Sequence, residues 1–312
     1  MYNRYLMTEI HSKKVPGLEI VPPKATAGQC ETEPNQIKLP GVFIFCGKRQ
    51  SGKTVACVAL CEKLPFDRIF WVGNTLRSNQ ELIKRLKIRE EDMYEDTDDI
   101  GVTDRIRQAT EDMATELEKY EEDLKRYKAM MKLIHSKNSL FQIPEDDLED
   151  FFKSGEFTPP KPPWWGSHKP CVAAVYDDAL GSMIYSKPRK LNALTTFSRH
   201  VGSFKDGRPA IGLNLFFLVQ TLKAQVGGLT KVIRNQASAY CIFRTMNKRE
   251  LEDLAEAVSG EISEEVFHRV YNAAIYGPNS NRHSFLWIDL NKKQNHPSMF
   301  RGPDFGTFLV PQ

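Results

Sequence analysis

Eight consecutive residues, Gly47-Lys48-Arg49-Gln50-Ser51-Gly52-Lys53-Thr54, fit the pattern G-x-x-x-x-G-K-[ST] without a mismatch. Residue types at that spacing serve one chemistry, the holding of phosphate groups. Glycines let the backbone bend around the anion, so that successive amide hydrogens and a helix N-terminus point at it. Lys53 is placed to reach the β- and γ-phosphates, and Thr54 to offer its hydroxyl to Mg²⁺, which keeps most of its water and takes one or two protein oxygens. A magnesium nucleotide is therefore the expected ligand. The bland alternative is a glycine-rich turn that binds nothing.

Such a site also needs an acid on a second strand. The apolar run Val172-Ala173-Ala174-Val175-Tyr176 closes on Asp177-Asp178. Asp177 is the expected ligand in the metal's shell. Asp178 is placed to polarise an attacking water, because phosphoryl transfer to water is mostly positioning and charge stabilisation. A third apolar run, Leu213 to Val219, ends in Gln220-Thr221, where Gln220 would sense the γ-phosphate or orient the water. Arg199, within Thr196-Phe197-Ser198-Arg199-His200, suits an arginine finger directed at a neighbouring subunit's nucleotide, with Arg208 and Arg234 as competitors. The plain alternatives are a solvated Asp-Asp turn, a polar strand end and a surface arginine. His200 reads better as a hydrogen-bonded structural histidine.

Placing these groups together takes strands that end at one edge and helices that cross between them. Residues 42–46 form the apolar run of a strand buried on both faces, and residues 55–61 continue past the loop as a buried helix. Further strands are expected near 68–72, 171–176, 213–219, 239–244 and 284–290, with helices near 248–258 and 263–275. The expected fold is α/β, a P-loop NTPase of the RecA/ASCE type with a mostly parallel central sheet, flanking helices and a long helical insertion.

The order GKRQSGKT, VAAVYDD, SRH, LFFLVQT, VIRN and HSFLWIDL resembles the viral DNA-packaging ATPases of large DNA viruses, the poxvirus-like branch of the FtsK–HerA ATPases. The similarity runs from about Pro40 to Phe305. It implies an ATP-hydrolysing double-stranded DNA translocase that works as a homo-oligomeric ring, a hexamer or pentamer, with capsid or portal-vertex proteins as further partners. By the same resemblance Asp177 holds Mg²⁺, Asp178 acts in hydrolysis, Gln220 is the sensor and Arg199 is given in trans. Two features depart from the pattern: the basic Lys48-Arg49 within the loop leaves nucleotide preference open, and position 178 is Asp where Glu is common. A nucleotide kinase, or a protein that binds nucleotide only to assemble, are the other classes compatible with the loop.

Composition is that of a chain able to build a core, with 41% hydrophobic residues in 312. Six cysteines without a CxxC pair read as reduced core residues, and seven histidines show no zinc spacing. No apolar run approaches the ~20 residues of a membrane span, and no hydrophobic signal core opens the chain. The expected location is the host cytoplasm (a viral factory) or nucleus, or the virion, rather than outside the cell.

The net charge of +3 hides an asymmetry: residues 76–157 carry 14 basic and 22 acidic side chains, which leaves +11 on the rest. A basic surplus of this kind is the footprint expected of a duplex-binding surface. Its local clusters are Lys187-Pro188-Arg189-Lys190, Lys205 with Arg208, and Lys223 with Lys231 around Gly227-Gly228.

Within the acidic segment, Leu117, Tyr120, Leu124, Tyr127, Met131 and Ile134 make a heptad-like stripe. The stripe predicts a long helix that pairs with a helix over Leu82–Ile88. The chain divides into an N-terminal arm, 1–39, and an ATPase domain, 40–312. The domain contains the insertion 76–165, which closes on the stiff linker Thr158-Pro159-Pro160-Lys161-Pro162-Pro163-Trp164-Trp165.

Overall fold

A computed structural model of the protein describes residues 30–135, 146, 158–224, 228–245, 247–260, 262–278 and 280–311. Residues 1–29 of the arm, 136–145 and 147–157 of the insertion, Gly227, and the side chain of Ile134 lie outside the described residues.

Strands β1 (Val42–Cys46), β2 (Arg68–Val72), β4 (Val172–Asp177), β5 (Leu213–Val219) and β6 (Ala239–Phe243) stand where the apolar runs predict them. The last predicted strand is β7 (Phe285–Asp289). Three two-residue strands were not legible: β3 (Met93–Tyr94), β8 (Phe300–Arg301) and β9 (Phe308–Leu309). Together they form one sheet in the order β3-β2-β4-β5-β1-β6-β7-β8-β9. The six strands from β3 to β6 run parallel, and β7, β8 and β9 are added antiparallel.

Every residue of β1, β4, β5, β6 and β7 is buried, because helices cover both sides of the sheet. Alternate residues feed two separate cores. Phe43, Phe45, Phe216, Leu218 and Trp287 pack with α1 (Lys53–Lys63) on one face. Ile44, Leu215, Phe217, Tyr240 and Leu286 pack on the other face with α3 (Val102–His135), α5 (Arg189–Phe197), α7 (Lys248–Val258) and α8 (Glu264–Tyr276). Three shorter α-helices, α2 (Gln80–Ile83), α4 (Met183–Ser186) and α6 (Lys231–Asn235), and 3-10 turns over Lys84–Leu86, Glu90–Asp92 and Ser198–His200 lie between them. Asn214, buried inside β5, binds both neighbouring strands. Its Oδ1 accepts from the Gly41 N–H (3.0 Å) and its Nδ2 donates to the Val172 carbonyl (3.0 Å), which fixes where β1 and β4 begin.

Two expectations are corrected. The segment Leu82–Ile88 is a short α-turn followed by a 3-10 turn over Lys84–Leu86, and it packs with α1. The long helix lies on the opposite face, so the two do not pair. The helix α3 starts earlier than the stripe suggests and packs through Val102, Ile106, Met113 and Leu117 beside α5. Charged residues dilute the apolar signal at both places, and nothing in the stripe says on which side of a sheet it will lie. The basic run Lys187–Lys190 opens helix α5 rather than a free loop.

Residues 30–39 pack against the body: Ile37 and Leu39 are buried, and side chains of Lys293, Asn295, His296 and Arg301 bind the carbonyls of residues 32 to 35. The linker after the insertion ends with Trp165 buried in the core, while Trp164 stays exposed under the Arg89 guanidinium.

Candidate functional site

The crevice at the carboxyl ends of the parallel strands is where an open α/β sheet binds its ligand, at the point where the strand order reverses. Here β1 lies between β5 and β6, and the loop 47–52 leaves β1 at that point. A cleft of about 380 Å³ opens over it, lined by loop residues Arg49 to Val55 and by Asp177, Asp178, Gln220 and His283. The turn after β2 completes the lining with Thr75, Ser78 and Asn79.

Gly52 has φ 102°, a conformation that costs glycine nothing, and it turns the chain into α1. Lys53 follows as the first helical residue and is buried. Its ammonium donates to the carbonyls of Gly47 (2.6 Å) and Lys48 (3.0 Å). Burial holds its pKa below the ordinary lysine value, opposed by the Asp177 and Asp178 charges. Thr54 Oγ1 donates to Asp177 Oδ2 at 3.2 Å, so the last residue of the loop motif and the last residue of β4 meet. Asp177 is 2% exposed, and burial, reinforced by the neighbouring Asp178 charge, pushes its carboxyl up to about 6. Gly73, at the end of β2, makes room for it: a Cβ there would sit 2.5 Å from the Asp177 carbonyl oxygen.

The residue after β4 bends out of the sheet. Asp178 has φ 50°, in the left-handed region that short Asp and Asn side chains tolerate better than longer ones. This gives a physical reason for aspartate rather than glutamate at that position. From there its Oδ1 accepts a hydrogen bond from Gln220 Nε2 (2.7 Å).

Two observations bear on whether Mg²⁺ and a triphosphate fit. A hydroxyl and a carboxylate, both hard oxygen donors, face one another beside the loop, which is the donor set Mg²⁺ takes. The Ser51 hydroxyl within the loop is buried without a hydrogen-bond partner. Both fit, and Thr54 with Asp177 would hold the metal.

The structure thus brings Arg49 to Thr54, Asp177, Asp178 and Gln220 into one cleft, with Gly47 and Lys48 behind it as acceptors of the Lys53 ammonium, and it does not bring Arg199 there. Arg199 sits in a 3-10 turn after α5 and lines a second cleft of about 190 Å³ with Gly41, Val42, Gln236 and Ser238. Those residues precede or open β1 and β6, so Arg199 is at the opposite edge of the sheet. Five residues of β1 at roughly 3.3 Å each put about 15 Å between the two. Arg208 is paired with Glu121 and Asp206 and lies over Phe204, and Arg234 lies on α6. Several of the basic clusters are held by acids, Lys190 by Asp104 of α3 and Lys223 by Asp253 and Glu256 of α7.

One site residue was not legible at all. His283 precedes β7, and because β7 is antiparallel its start lies beside the carboxyl end of β6, with Phe285 opposite Phe243. The ring packs against Gly52. Arg282 Nε donates to its Nε2 (2.8 Å), so the ring proton is assigned to Nδ1, which donates to the Ser51 carbonyl (3.2 Å). Only the antiparallel direction of β7 reveals this contact.

No family model matches the chain, and no curated protein matches it. Among solved structures it is similar to the genome packaging NTPase B204 from Sulfolobus turreted icosahedral virus 2 in complex with AMPPCP. That match has 14% identity over 80% of this chain and 93% of that one, with a TM-score of 0.38. It is also similar to the DNA-packaging ATPase B204 from Sulfolobus Turreted Icosahedral Virus (16% identity, 84% and 95% covered, TM-score 0.38). A third is the pCW3 conjugation coupling protein TcpA with ATPgS (14% identity, 83% and 59% covered, TM-score 0.40). Packaging NTPases are the kind of protein the motif order resembles. At these scores the likeness carries no functional assignment. The α/β fold of a P-loop NTPase, with a mostly parallel sheet, flanking helices and one long helix, stands on the strand order and the position of the loop.

Proposed function

We propose that this chain is an ATP-driven translocase of double-stranded DNA, the genome-packaging motor of a large DNA virus, working as a ring of identical subunits. One observation carries the reading: Thr54 of the phosphate loop meets Asp177 at 3.2 Å, while the next residue, Asp178, is bonded to Gln220. Metal ligand, candidate base and candidate sensor therefore converge on one triphosphate cradle.

In this reading the loop amides and Lys53 bind the phosphates, with Lys53 leaving the carbonyls of Gly47 and Lys48 for the γ-phosphate oxygens. Mg²⁺, when bound, would neutralise charge on the β- and γ-phosphate oxygens. Asp178 accepts the proton of the attacking water, and Gln220, through its amide, holds the Asp178 carboxylate and reports on the γ-phosphate to the loop after β5. Arg199 acts on a neighbouring copy's nucleotide, a role compatible with its place at the far edge of the sheet. The motif order quoted above and the basic surplus outside residues 76–157 support DNA as the cargo.

The test is ATP hydrolysis by the purified full chain with and without duplex DNA, over a range of salt. Duplex should raise the rate, and the stimulation should fall steeply as salt rises. Lys53→Ala and Asp178→Asn should abolish turnover and leave the circular dichroism spectrum unchanged. Undiminished turnover in both variants refutes the site, and an active wild type indifferent to DNA refutes the translocase.

A further inference from the structure

We propose that residues 32–39, laid against the body ahead of β1, are a strap that acid releases, with His296 as the group that takes the proton. Side chains that follow β7 hold the strap by its main-chain carbonyls. Lys293 Nζ donates to those of Thr32 (2.8 Å) and Glu33 (2.6 Å), Asn295 Nδ2 (3.1 Å) and His296 Nε2 (2.9 Å) share that of Pro34, and Arg301 Nη1 takes that of Asn35 (2.9 Å). Gln36 Nε2 then donates to the Lys63 carbonyl at the end of α1, and Ile37 and Leu39 are buried on the α1 face.

The ring of His296 fits this clamp in one protonation state only. It is 4% exposed and lies against the Phe308 ring. Its Nε2 faces a carbonyl, which can only accept, so Nε2 carries the proton. Its Nδ1 faces Arg301 Nη2 (3.2 Å), which can only donate, so Nδ1 is bare. A second proton on Nδ1 sets N–H against N–H and charge against charge. The ring must then turn from Arg301 and leave Pro34, or the guanidinium must withdraw and leave Asn35. Either movement takes a partner from the strap.

The groups around the ring do not offset the added charge. Lys292, whose Nζ donates to the His296 carbonyl (3.2 Å), Lys293 and Arg301 are all cations, and Glu31 and Glu33, next to and within the strap, are exposed. Asp289, at the end of β7, is the buried anion, its Oδ1 accepting from the Asn291 N–H (3.1 Å) and its Oδ2 without a partner. Burial pushes that carboxyl up to about 6, so the same fall in pH neutralises it, which relieves its own burial and leaves the cations uncompensated. Burial and the Arg301, Lys293 and Lys292 charges hold His296 below the ordinary histidine value of 6.5, against the pull of the Pro34 carbonyl. The hold of the neutral ring on the strap is therefore complete above that value and is lost as pH falls below it.

The inference is independent of the nucleotide reading, and so is its test. The full chain is digested briefly with thermolysin between pH 7.5 and pH 5.5, and cleavage between Gln36 and Ile37 is read by mass spectrometry against a free peptide of the strap sequence, which corrects for the protease's own pH dependence. Relative cleavage should rise on the order of tenfold or more at pH 5.5, as expected for the loss of a hydrogen bond to a charged group, while β5 stays uncut. His296→Gln keeps an amide donor for Pro34 and cannot take a proton, so its strap should stay protected at pH 5.5. In wild type the midpoint of release should coincide with the titration of the His296 Cε1–H resonance, assigned by its absence in His296→Gln, and this measurement decides if the variant is open at every pH. Equal protection of wild type at both pH values, release only together with β5, a variant released by acid as wild type is, or a release midpoint apart from the His296 titration overturns the proposal.

Discussion

Replacing Asp177 with Asn should make the nucleotide-free protein more stable and the enzyme inactive. The buried carboxyl is pushed from its ordinary 3.8 up to about 6. Its charged form therefore destabilises the fold by about 3 kcal/mol at neutral pH. The sign follows from proton binding: between the two pKa values the folded state holds the proton more tightly than the unfolded chain, so stability falls as pH rises through that window. Asparagine keeps the volume and can still meet the Thr54 hydroxyl, but it carries no charge.

Urea unfolding in the presence of a chelator should show the variant more stable than wild type by roughly 2–3 kcal/mol at pH 7.5 and by about half as much at pH 5. The same variant should lose Mg²⁺-dependent nucleotide binding. A variant less stable than wild type at pH 7.5, or a difference that does not change between pH 5 and pH 7.5, would refute the picture of a desolvated carboxylate waiting for a cation.

Three further outcomes are expected. His283→Ala removes the donor to the Ser51 carbonyl, one hydrogen bond worth about 1 kcal/mol, so KM for nucleotide should rise about fivefold with kcat nearly unchanged. His283→Asn should recover part of the loss, and a fall in kcat at constant KM would show that the ring does something else. Gly73→Ala places a methyl 2.5 Å from the Asp177 carbonyl, and forcing the two strands apart should cost about 1–3 kcal/mol in urea unfolding, so an unchanged midpoint would count against the close approach. Mixing inactive Arg199→Ala with inactive Asp178→Asn subunits should restore some ATPase activity if the arginine serves a neighbour, and no rescue at any ratio removes Arg199 from that role.

The five longer parallel strands and the glycine-rich loop were legible because each is written in consecutive residues. A strand buried on both faces has to be a short unbroken apolar run, and β1, β4, β5 and β6 are such runs. The acids at the end of β4 and Gln220 after β5 follow from the same reading, since strands that run parallel deliver their next residues to one edge. Legibility fails where partners are distant or signals are short. The two-residue strands β3, β8 and β9 have no periodicity to detect. The clamp on residues 32 to 35 is built from side chains some 260 positions later. The stripe of α3 announces an apolar face but not which core receives it.

The sequence by itself determined that a loop of the G-x-x-x-x-G-K-[ST] pattern, an acid pair and a glutamine lie at the carboxyl ends of buried strands, because backbone periodicity and glycine chemistry are local properties. Only the tertiary structure decided that Arg199 lies at the opposite edge of the sheet from the cleft over the loop 47–52 and that His283 supports that loop. Those contacts depend on strand order, on the antiparallel direction of β7 and on which face of the sheet each helix covers. Such choices are set by the packing of the whole sheet, and no short stretch of chain encodes them.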